Sequence, residues 1–535
     1  MTTKLWLLFC LLLVHHQRPS MSSPILIAMC RPGTAQECKE AKFVPGHTLL
    51  GEGINIVTME ATGSSLLDLQ EVGEKCTVCD NPHNNNVLQK LPKAMADWRP
   101  VSLCTRDIQG SVLRSPVSVA NYVTSMVQND WTVGLNVQIN SRTAVGGSRS
   151  RMAQFADSKR VSDSYSFLSH KLECSLYSFR LGADTSLAPR FKEVLEKLPD
   201  SYDTMTKAEY RRLIESYGTH YITQVKVGGR SQEVTAVRTC QVAMNGLKMD
   251  EVMDCLAAEA EVGVTKGIIS ASIDTRYEHC RTKISKTNLG ETFHEVFTER
   301  EWKVIGGNGT FDLLSTSIAT TDAFKKWLES LKTYPGLVSY SLDSIHNLVR
   351  VNGPKKENLR LAISDYTKEQ ALAQKCSCPG QGADCSCTCA PSSYTDSDCC
   401  PTRGGVAKLH VTIKAGSGLS GDLWSETDAY VIFKFYDVSL RTPKIDNKKN
   451  PTWNREYDLG FVELREGKKY TIEVWDEDDD PDDLLGKCHK TLYSGETSEI
   501  CYLKKGSLTY SLSVTCLHHL QGRLCQDYTA VPPSA

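Results

Sequence analysis

Residues 210–221 read Tyr-Arg-Arg-Leu-Ile-Glu-Ser-Tyr-Gly-Thr-His-Tyr, and this stretch carries the most information about the fold. Its apolar positions recur at i, i+3, i+4 and i+7, and they are Tyr210, Leu213, Ile214 and Tyr217. Upstream, Thr206 and Glu209 have the spacing of a capping box. Gly218 follows where the end of a helix favours a left-handed residue. These residues predict an amphipathic helix that ends at a glycine.

The complete string Tyr-x6-Tyr-Gly-Thr-His-Tyr is more specific than a buried helix end. It resembles the signature of the MACPF (membrane attack complex/perforin) family, and Gly228 and Gly229 are similar to the paired glycines at that family's sheet bend. The signature positions are Tyr210, Tyr217, Gly218, Thr219, His220 and Tyr221. The resemblance implies an α+β domain with a bent central antiparallel sheet flanked by helical clusters. In this interpretation His220 is a buried structural histidine, not a catalytic one.

Net charge bears on the partners of the protein, and the apolar run near its N-terminus predicts export from the cell. The 61 basic and 63 acidic residues give a net charge of −2, which argues against nucleic acid as a partner. Lys4 and the apolar run from Leu5 to Val14 predict a secretory signal peptide, with a buried N-terminal strand as the alternative. No later stretch approaches the length of a membrane-spanning helix. We therefore expect secretion, by way of secretory granules, and action on membranes through a change of shape.

Cysteine usage also indicates export. Of the 21 cysteines, Cys10 lies in the predicted signal peptide, which leaves an even number for disulfides. Residues 376–400 are crowded with cysteines and too short to bury a core. This segment resembles an EGF-like module with one cysteine left to tie it to a neighbour, and a metal cluster is the alternative. Asn308-Gly309-Thr310 is a clear N-glycosylation sequon, with Asn308 as the residue that would carry the glycan.

From Arg403 onward the chain has an all-β pattern, with short alternating runs separated by turn signals. This pattern predicts a β-sandwich. Three motifs resemble those of C2 domains, and they are Asp428-Ala429-Tyr430-Val431, Asn450-Pro451-Thr452-Trp453-Asn454 and Val474-Trp475-Asp476-Glu477-Asp478. The predicted parts are a signal peptide at 1–29 with cleavage within 20–29, a MACPF domain at 30–370, an EGF-like connector at 371–402, a C2 domain at 403–515 and a tail at 516–535.

Residues 476–483 are almost all acidic. Such strings are usually solvated charge runs, but this one interrupts a strand-like segment, so its carboxylates converge and repel one another. A hard cation with oxygen ligands relieves that repulsion, and Ca²⁺ tolerates irregular cages better than Mg²⁺ does. The ligands that the C2 resemblance implies are Asp422, Asp428, Asp476, Asp478 and Asp483. Asp482 is an alternative to Asp483, because the loop is shorter than the usual pattern.

The loop that holds Asp422 also carries apolar residues. The resemblance implies that Leu423 and Trp424 contact the phospholipid membrane, because C2 domains of this kind dock through apolar loop tips. Packing of Trp424 against the end of the sandwich is the alternative.

The MACPF resemblance also implies two regions that are helical in the soluble form and become β-hairpins in the pore. By position they are about Ala144 to Arg180 and about Leu247 to Trp302, and each has room for a hairpin. Ordinary surface helices and strands are the alternative. Because an isolated hairpin in lipid leaves backbone groups unpaired, subunits must associate into a homo-oligomeric ring on the membrane.

The sequence as a whole predicts a secreted, cytolytic pore-former that is not an enzyme. A non-lytic MACPF adhesion or signalling protein is one alternative. A lipase that carries a C2 domain is another, but Gly-x-Ser-x-Gly, His-Glu-x-x-His and P-loop motifs are absent from the sequence.

Overall fold

The computed structural model describes residues 28–531, except 71–75, 105–107, 138–139, 141, 184, 266–270, 288, 310–317, 350–352, 374–387, 422–425 and 480. The predicted signal peptide falls almost wholly outside the described residues. So do Asp422, Leu423 and Trp424 and the first cysteines of the predicted connector.

The strands before residue 400 are β1 (Cys30–Pro32), β2 (Lys42–Phe43), β3 (Glu52–Asn55), β4 (Glu60–Ser65), β5 (Thr77–Asn81), β6 (Val87–Lys90), β7 (Met95–Cys104), β8 (Gln109–Leu113), β9 (Thr143–Ala144), β10 (Tyr165–Leu181), β11 (His220–Arg238), β12 (Arg300–Ile305), β13 (Gly336–Ser344) and β14 (Leu372–Ala373). The α-helices are α1 (Ala35–Glu40), α2 (Pro116–Thr124), α3 (Arg151–Lys159), α4 (Pro189–Lys197), α5 (Lys207–Tyr217), α6 (Thr239–Met244), α7 (Met249–Thr265), α8 (Ala271–Ile284), α9 (Phe293–Val296), α10 (Ile318–Ser330) and α11 (Pro354–Glu369). Short 3-10 helices cover His47–Leu49, Pro82–Asn84 and Ile345–Leu348. None of the described helices has the length and hydropathy needed to cross a bilayer.

The long strands β10 and β11 form the centre of an antiparallel sheet, as predicted. On the outer side of β10 lie β7 and then β8, and on the outer side of β11 lie β13 and then β12. Gly228 and Gly229 lie where these outer partners change. A Cβ on Gly228 would stand 2.0 Å from the Cys174 carbonyl oxygen, and one on Gly229 would stand 2.3 Å from a ring carbon of Trp327. Both positions therefore require glycine.

Helix α5 confirms the amphipathic helix of the signature, and Tyr210, Leu213 and Ile214 are its buried residues. The predicted capping box is wrong. The backbone of Thr206 is already helical and its hydroxyl donates to the Ser201 carbonyl, while Asp203 Oδ1 accepts from the Thr206 amide at 3.2 Å. Gly218 has the expected positive φ of 81°, but its ψ of −169° is extended instead of helical.

For the first of the two regions, the prediction of helix is wrong from Tyr165 onward, because the strand β10 occupies Tyr165–Leu181. The period-two pattern that suggested a future hairpin belongs to a strand already in the sheet. The helical insertion lies earlier, at 114–164 between β8 and β10, and includes α2 and α3. The described part of the second region contains the predicted helices, α7, α8 and α9, until β12 begins at Arg300.

The remaining strands are β15 (Val406–Ser417), β16 (Ala429–Phe435), β17 (Val438–Arg441), β18 (Thr452–Glu463), β19 (Lys469–Asp476), β20 (Asp483–Thr491), β21 (Gly495–Tyr502), β22 (Ser507–Cys516), β23 (Leu520–Gln521) and β24 (Asp527–Tyr528). Those from β15 to β22 form two described sheets, ordered β18-β15-β22-β21 and β17-β16-β19-β20. Apolar side chains such as Val411, Phe433 and Ile472 are fully buried between them. The predicted β-sandwich is confirmed.

Covalent and polar contacts join the parts of the chain. Cys400 pairs with Cys240 at the start of α6, so one cysteine of the crowded segment does tie it to a neighbour. The segment after β22 is held by the Cys516–Cys525 disulfide and carries the β23–β24 pair. Its Tyr528 hydroxyl donates to Asp163 Oδ2 at 2.5 Å. The predicted tail is therefore anchored on the domain that contains the central sheet.

Candidate functional site

Three of the predicted calcium ligands stand at the ends of neighbouring strands. Asp428 directly precedes β16, whose first residue pairs with Asp476 at the end of β19. Asp476 in turn pairs with Asp483, the first residue of β20. The antiparallel register therefore places these three aspartates side by side at one end of the sandwich, although they are far apart in sequence.

Asp476 lies at the centre of this group and is only 2% exposed. Its Oδ1 accepts a hydrogen bond of 2.6 Å from the Asp428 amide. Its Oδ2 points at Gly421, where an added Cβ would stand 2.0 Å away. Gly421 thus leaves room for the carboxylate, and any larger residue there would displace it. The end of the sandwich is shaped around a charged oxygen instead of an apolar side chain.

A lysine that was not singled out in the sequence lies beside the acidic residues. Lys444 Nζ is 3.1 Å from Glu477 Oε1, 3.3 Å from Asp446 Oδ1 and 3.9 Å from Asp428 Oδ2. Hydrogen bonds to Glu477 and then Asp446 raise the pKa of Lys444. The acidic end therefore already attracts a cation. The only sequence signal was the charged stretch between two C2-like motifs.

Asp482 and Asp483 differ in their surroundings. Asp482 Oδ2 accepts a hydrogen bond of 2.6 Å from the Tyr430 hydroxyl, which lowers the pKa of Asp482. Burial, together with this bond, raises the pKa of Tyr430 to about 12. Asp483 is exposed. The choice between these two residues as the last ligand stays a prediction.

Within the described residues, no group of three His, Cys, Asp or Glu side chains is close enough to hold a metal. Asp422 and residue 480 lie outside the described part of the chain. The chemistry of the site still fits a hard cation, because its donors are carboxylates and Gly421 makes space for one of them.

His220 of the signature is fully buried. Its Nε2–H donates to the Trp131 carbonyl at 3.0 Å, and the Thr219 hydroxyl lies 2.8 Å from Nδ1. Burial lowers the pKa of His220 to about 4, so the ring is neutral at physiological pH. The histidine joins the start of β11 to the loop after α2.

Asn308 is exposed in the turn after β12, and its backbone N–H donates to Ser330 Oγ at 2.8 Å. Its glycosylation stays a prediction.

Both helical insertions attach at the same end of the central sheet. Leu113, at the end of β8, pairs with Phe167 near the start of β10. Arg238, at the end of β11, pairs with Tyr165, and β12 begins nearby with Arg300 opposite Thr235. Residues 114–164 connect β8 to β10, and residues 239–299 connect β11 to β12. Both connections therefore begin and end at the same end of the central sheet. We call them segment 1 and segment 2.

The model of the MAC/Perforin domain matches residues 43–376. The chain belongs to the MACPF family. A C2 domain model matches residues 407–503. Perforin-1 of Mus musculus is 39% identical, covering 94% of this chain and 93% of that protein. Perforin-1 of Homo sapiens is 38% identical, covering 93% of each. Complement component C8 alpha chain of Oryctolagus cuniculus is 24% identical, covering 66% of each.

The chain is thus a perforin-like, pore-forming MACPF protein that carries a C2 domain. The finer limits of the signal peptide, connector and tail stay predictions.

Proposed function

We propose that the protein is secreted through granules, binds phospholipid membranes by means of Ca²⁺ on its C2 domain, assembles into a homo-oligomeric ring and inserts two β-hairpins per subunit. The observation that carries this proposal is the common attachment of segments 1 and 2 at one end of the central sheet. If segment 1 becomes a hairpin it lengthens β8 and β10, and segment 2 in the same way lengthens β11 and β12. The order of the four strands does not change.

The bilayer requires the subunits to act together. A hairpin in hydrocarbon must pair the backbone groups at both of its edges, and only a closed barrel leaves no edge unpaired. The long strands β10 and β11 supply a preformed ladder on which the inserted strands grow. We expect lysis to show a lag that shortens as the surface density of the protein rises.

The C2 domain supplies that surface density. Asp428, Asp476 and Asp483, with Asp422 and Asp478, would hold Ca²⁺, which neutralises the carboxylates and offers a cation to lipid phosphate groups. Leu423 and Trp424 would then enter the interfacial layer. In the absence of Ca²⁺ the acidic end of the sandwich repels an anionic surface.

The test of the calcium site is co-sedimentation of the full chain with dye-loaded phosphatidylcholine vesicles. We expect Asp428→Ala to abolish the binding and dye release that the wild-type protein shows in about 10 mM Ca²⁺, a level roughly tenfold above the weakest dissociation constants of extracellular Ca²⁺ modules, about 10⁻³ M. Asp437→Ala is the matched control, because this exposed aspartate lies in the β16–β17 turn at the other end of the sandwich. Binding that persists in a chelator would contradict the calcium assignment.

Trp424→Ala tests the membrane contact. We expect weaker vesicle binding with unchanged Ca²⁺ affinity and unchanged melting temperature. A large fall in melting temperature would show instead that Trp424 packs against the sandwich.

The non-lytic alternative has a separate outcome. A non-lytic MACPF protein would bind the vesicles in Ca²⁺ and release no dye at any surface density.

A further inference from the structure

A disulfide joins two helices of segment 2. Cys255 in α7 pairs with Cys280 in α8, their Cα atoms are 5.4 Å apart, and both residues are 3% exposed. A crosslink inside a segment that must refold would at first sight prevent the change. It does so only if the two cysteines cannot also face each other in the inserted form.

The spacing of the two cysteines is compatible with a membrane-crossing hairpin. They are separated by 25 positions. After a short turn at the midpoint, this spacing leaves roughly ten residues in each arm, which is the length that a tilted transmembrane strand needs. Directly opposed residues of an antiparallel pair have Cα atoms about 4.5–5.5 Å apart, a separation that a disulfide spans.

With the cysteines opposite each other, every other pairing in the hairpin follows. Val262 then faces Ile273, and Ala258 faces Tyr277, on one side of the hairpin. Glu259 faces Arg276 on the other side, which the two cysteines share. The residues on the first side from 256 to 262 are Leu256, Ala258, Ala260 and Val262. The charged residues of the two arms are Glu259, Glu261, Asp274, Arg276 and Glu278, and all of them fall on the second side. Lys266 falls in the short turn between the arms.

This separation of apolar and charged residues depends on the register. A slip of one residue between the arms brings residues of opposite character together on each side, because side chains alternate with a period of two. Charged groups would then face lipid, which is strongly unfavourable near the bilayer midplane. The register that the disulfide allows is thus one that matches a barrel wall with a wet lumen.

In the soluble structure the same residues have other partners. Arg276 Nη1 lies 3.1 Å from Glu261 Oε2. The Glu259 carboxylate accepts from the Phe293 amide at 3.0 Å and from the His294 amide at 2.9 Å, and so holds the start of α9. Leu256, Ala258 and Ala260 are fully buried. Insertion in the proposed register would move Arg276 from Glu261 to Glu259.

We propose that the Cys255–Cys280 disulfide sets the register of the second inserted hairpin, turns the side with Val262 and Ile273 toward the acyl chains and places Glu259 opposite Arg276 in the lumen. This inference rests on the proposed pore-forming function and adds to it a lipid-facing surface. The bridge lies where the hairpin enters the membrane, and it restrains the arms without preventing the change.

The first experiment compares two adjacent positions in the full chain, with dye-loaded phosphatidylcholine vesicles and Ca²⁺. Ile273 is partly exposed and Ser272 is exposed in the soluble structure, so a glutamate at either is tolerated before insertion. We expect Ile273→Glu to slow dye release by about tenfold or more and Ser272→Glu to change it by less than about twofold, with equal vesicle binding. Equal effects on release would overturn the assignment of the two faces.

The second experiment tests the register by double-mutant cycles. Glu259→Gln and Arg276→Gln should be non-additive in the rate of dye release. Glu261→Gln and Arg276→Gln should be non-additive in the melting temperature of the soluble protein, where those side chains are in contact. Coupling in dye release between Glu261 and Arg276, without coupling between Glu259 and Arg276, would overturn the register.

The third experiment removes the bridge in the variant Cys255→Ser with Cys280→Ser. We expect slower dye release and a smaller coupling between Glu259 and Arg276, at unchanged vesicle binding. Unchanged release and unchanged coupling would overturn the role of the disulfide. Failure of the wild-type protein to release dye would instead overturn the pore-forming function itself, and this inference with it.

Discussion

The interface between the central sheet and its helices differs from the interior of the C2 sandwich. Beneath the helices, β10 and β11 bury His170, Arg230, Gln232 and Glu233. Within the described strands of the sandwich, Asp476 is the one charged side chain that is buried. The core between the two sheets of the sandwich is otherwise almost entirely apolar.

Polar contacts between the central sheet and its helices can be replaced by contacts with other partners. The His170 ring lies 3.1 Å from the Met253 carbonyl of α7, an interaction that water or a new strand partner can replace. His170 Nδ1 and Gln232 Oε1 are buried without a protein hydrogen-bond partner among the described residues. Such groups make burial less favourable. The region that opens in the proposed mechanism is therefore held less tightly than the C2 sandwich, which keeps its fold in that mechanism.

The largest expected effect comes from breaking the sandwich. Phe433 is fully buried and stacks on Tyr470 with ring centroids 5.2 Å apart. Phe433→Ala should lower the free energy of unfolding of the C2 domain by about 3–5 kcal/mol, because it removes contacts and leaves a cavity. Thermal denaturation of the full chain measures this change. Tyr436→Ala is the control, since Tyr436 is 53% exposed, and an equal loss in both variants would contradict the comparison.

A smaller effect, of opposite sign, should follow from making the sheet–helix interface more like the sandwich. Gln232 is 2% exposed, and its amide lies 3.5 Å from Met152 Sδ of α3. Gln232→Leu removes a buried polar group at similar volume, so it should stabilise the soluble form by about 1–2 kcal/mol and slow dye release. Gln224→Leu, at an exposed site on the same strand, should leave the release rate unchanged. Faster release by Gln232→Leu would contradict this interpretation.

The smallest expected effect concerns the anchored tail, which joins the two regions. Asp163 is 1% exposed and accepts from the Tyr528 hydroxyl and, at 3.2 Å, from the Val531 amide. Tyr528→Phe removes the first bond and should weaken the anchor by about 1 kcal/mol. Hydrogen exchange of residues 527–531 should then become faster, whereas Tyr502→Phe, at a residue 77% exposed, should not change it. Unchanged exchange in Tyr528→Phe would show that the Tyr528–Asp163 bond does not hold the tail.

Local pattern was sufficient for several elements. The apolar spacing in α5, the alternation in β15 and β16 and the paired glycines at Gly228 all appear in the structure where the sequence predicted them. These features depend on residues within a few positions of one another, so a single chain segment reveals them. The capping box failed because Asp203 Oδ1 accepts from the Thr206 amide, the group that the Glu209 side chain would have to bind in such a box.

The sequence by itself determined the family and the carboxylates at the end of the sandwich. Only the tertiary structure decided which period-two run is a sheet strand, that Tyr528 reaches Asp163, and that Lys444 stands beside Asp428. It also decided that Cys255 pairs with Cys280 within segment 2. The physical reason is the same in each case. The chemical type of a side chain and the local hydrophobic period can be read from neighbouring residues in the sequence. The contact partner of a side chain lies on another strand or helix, which only folding brings close.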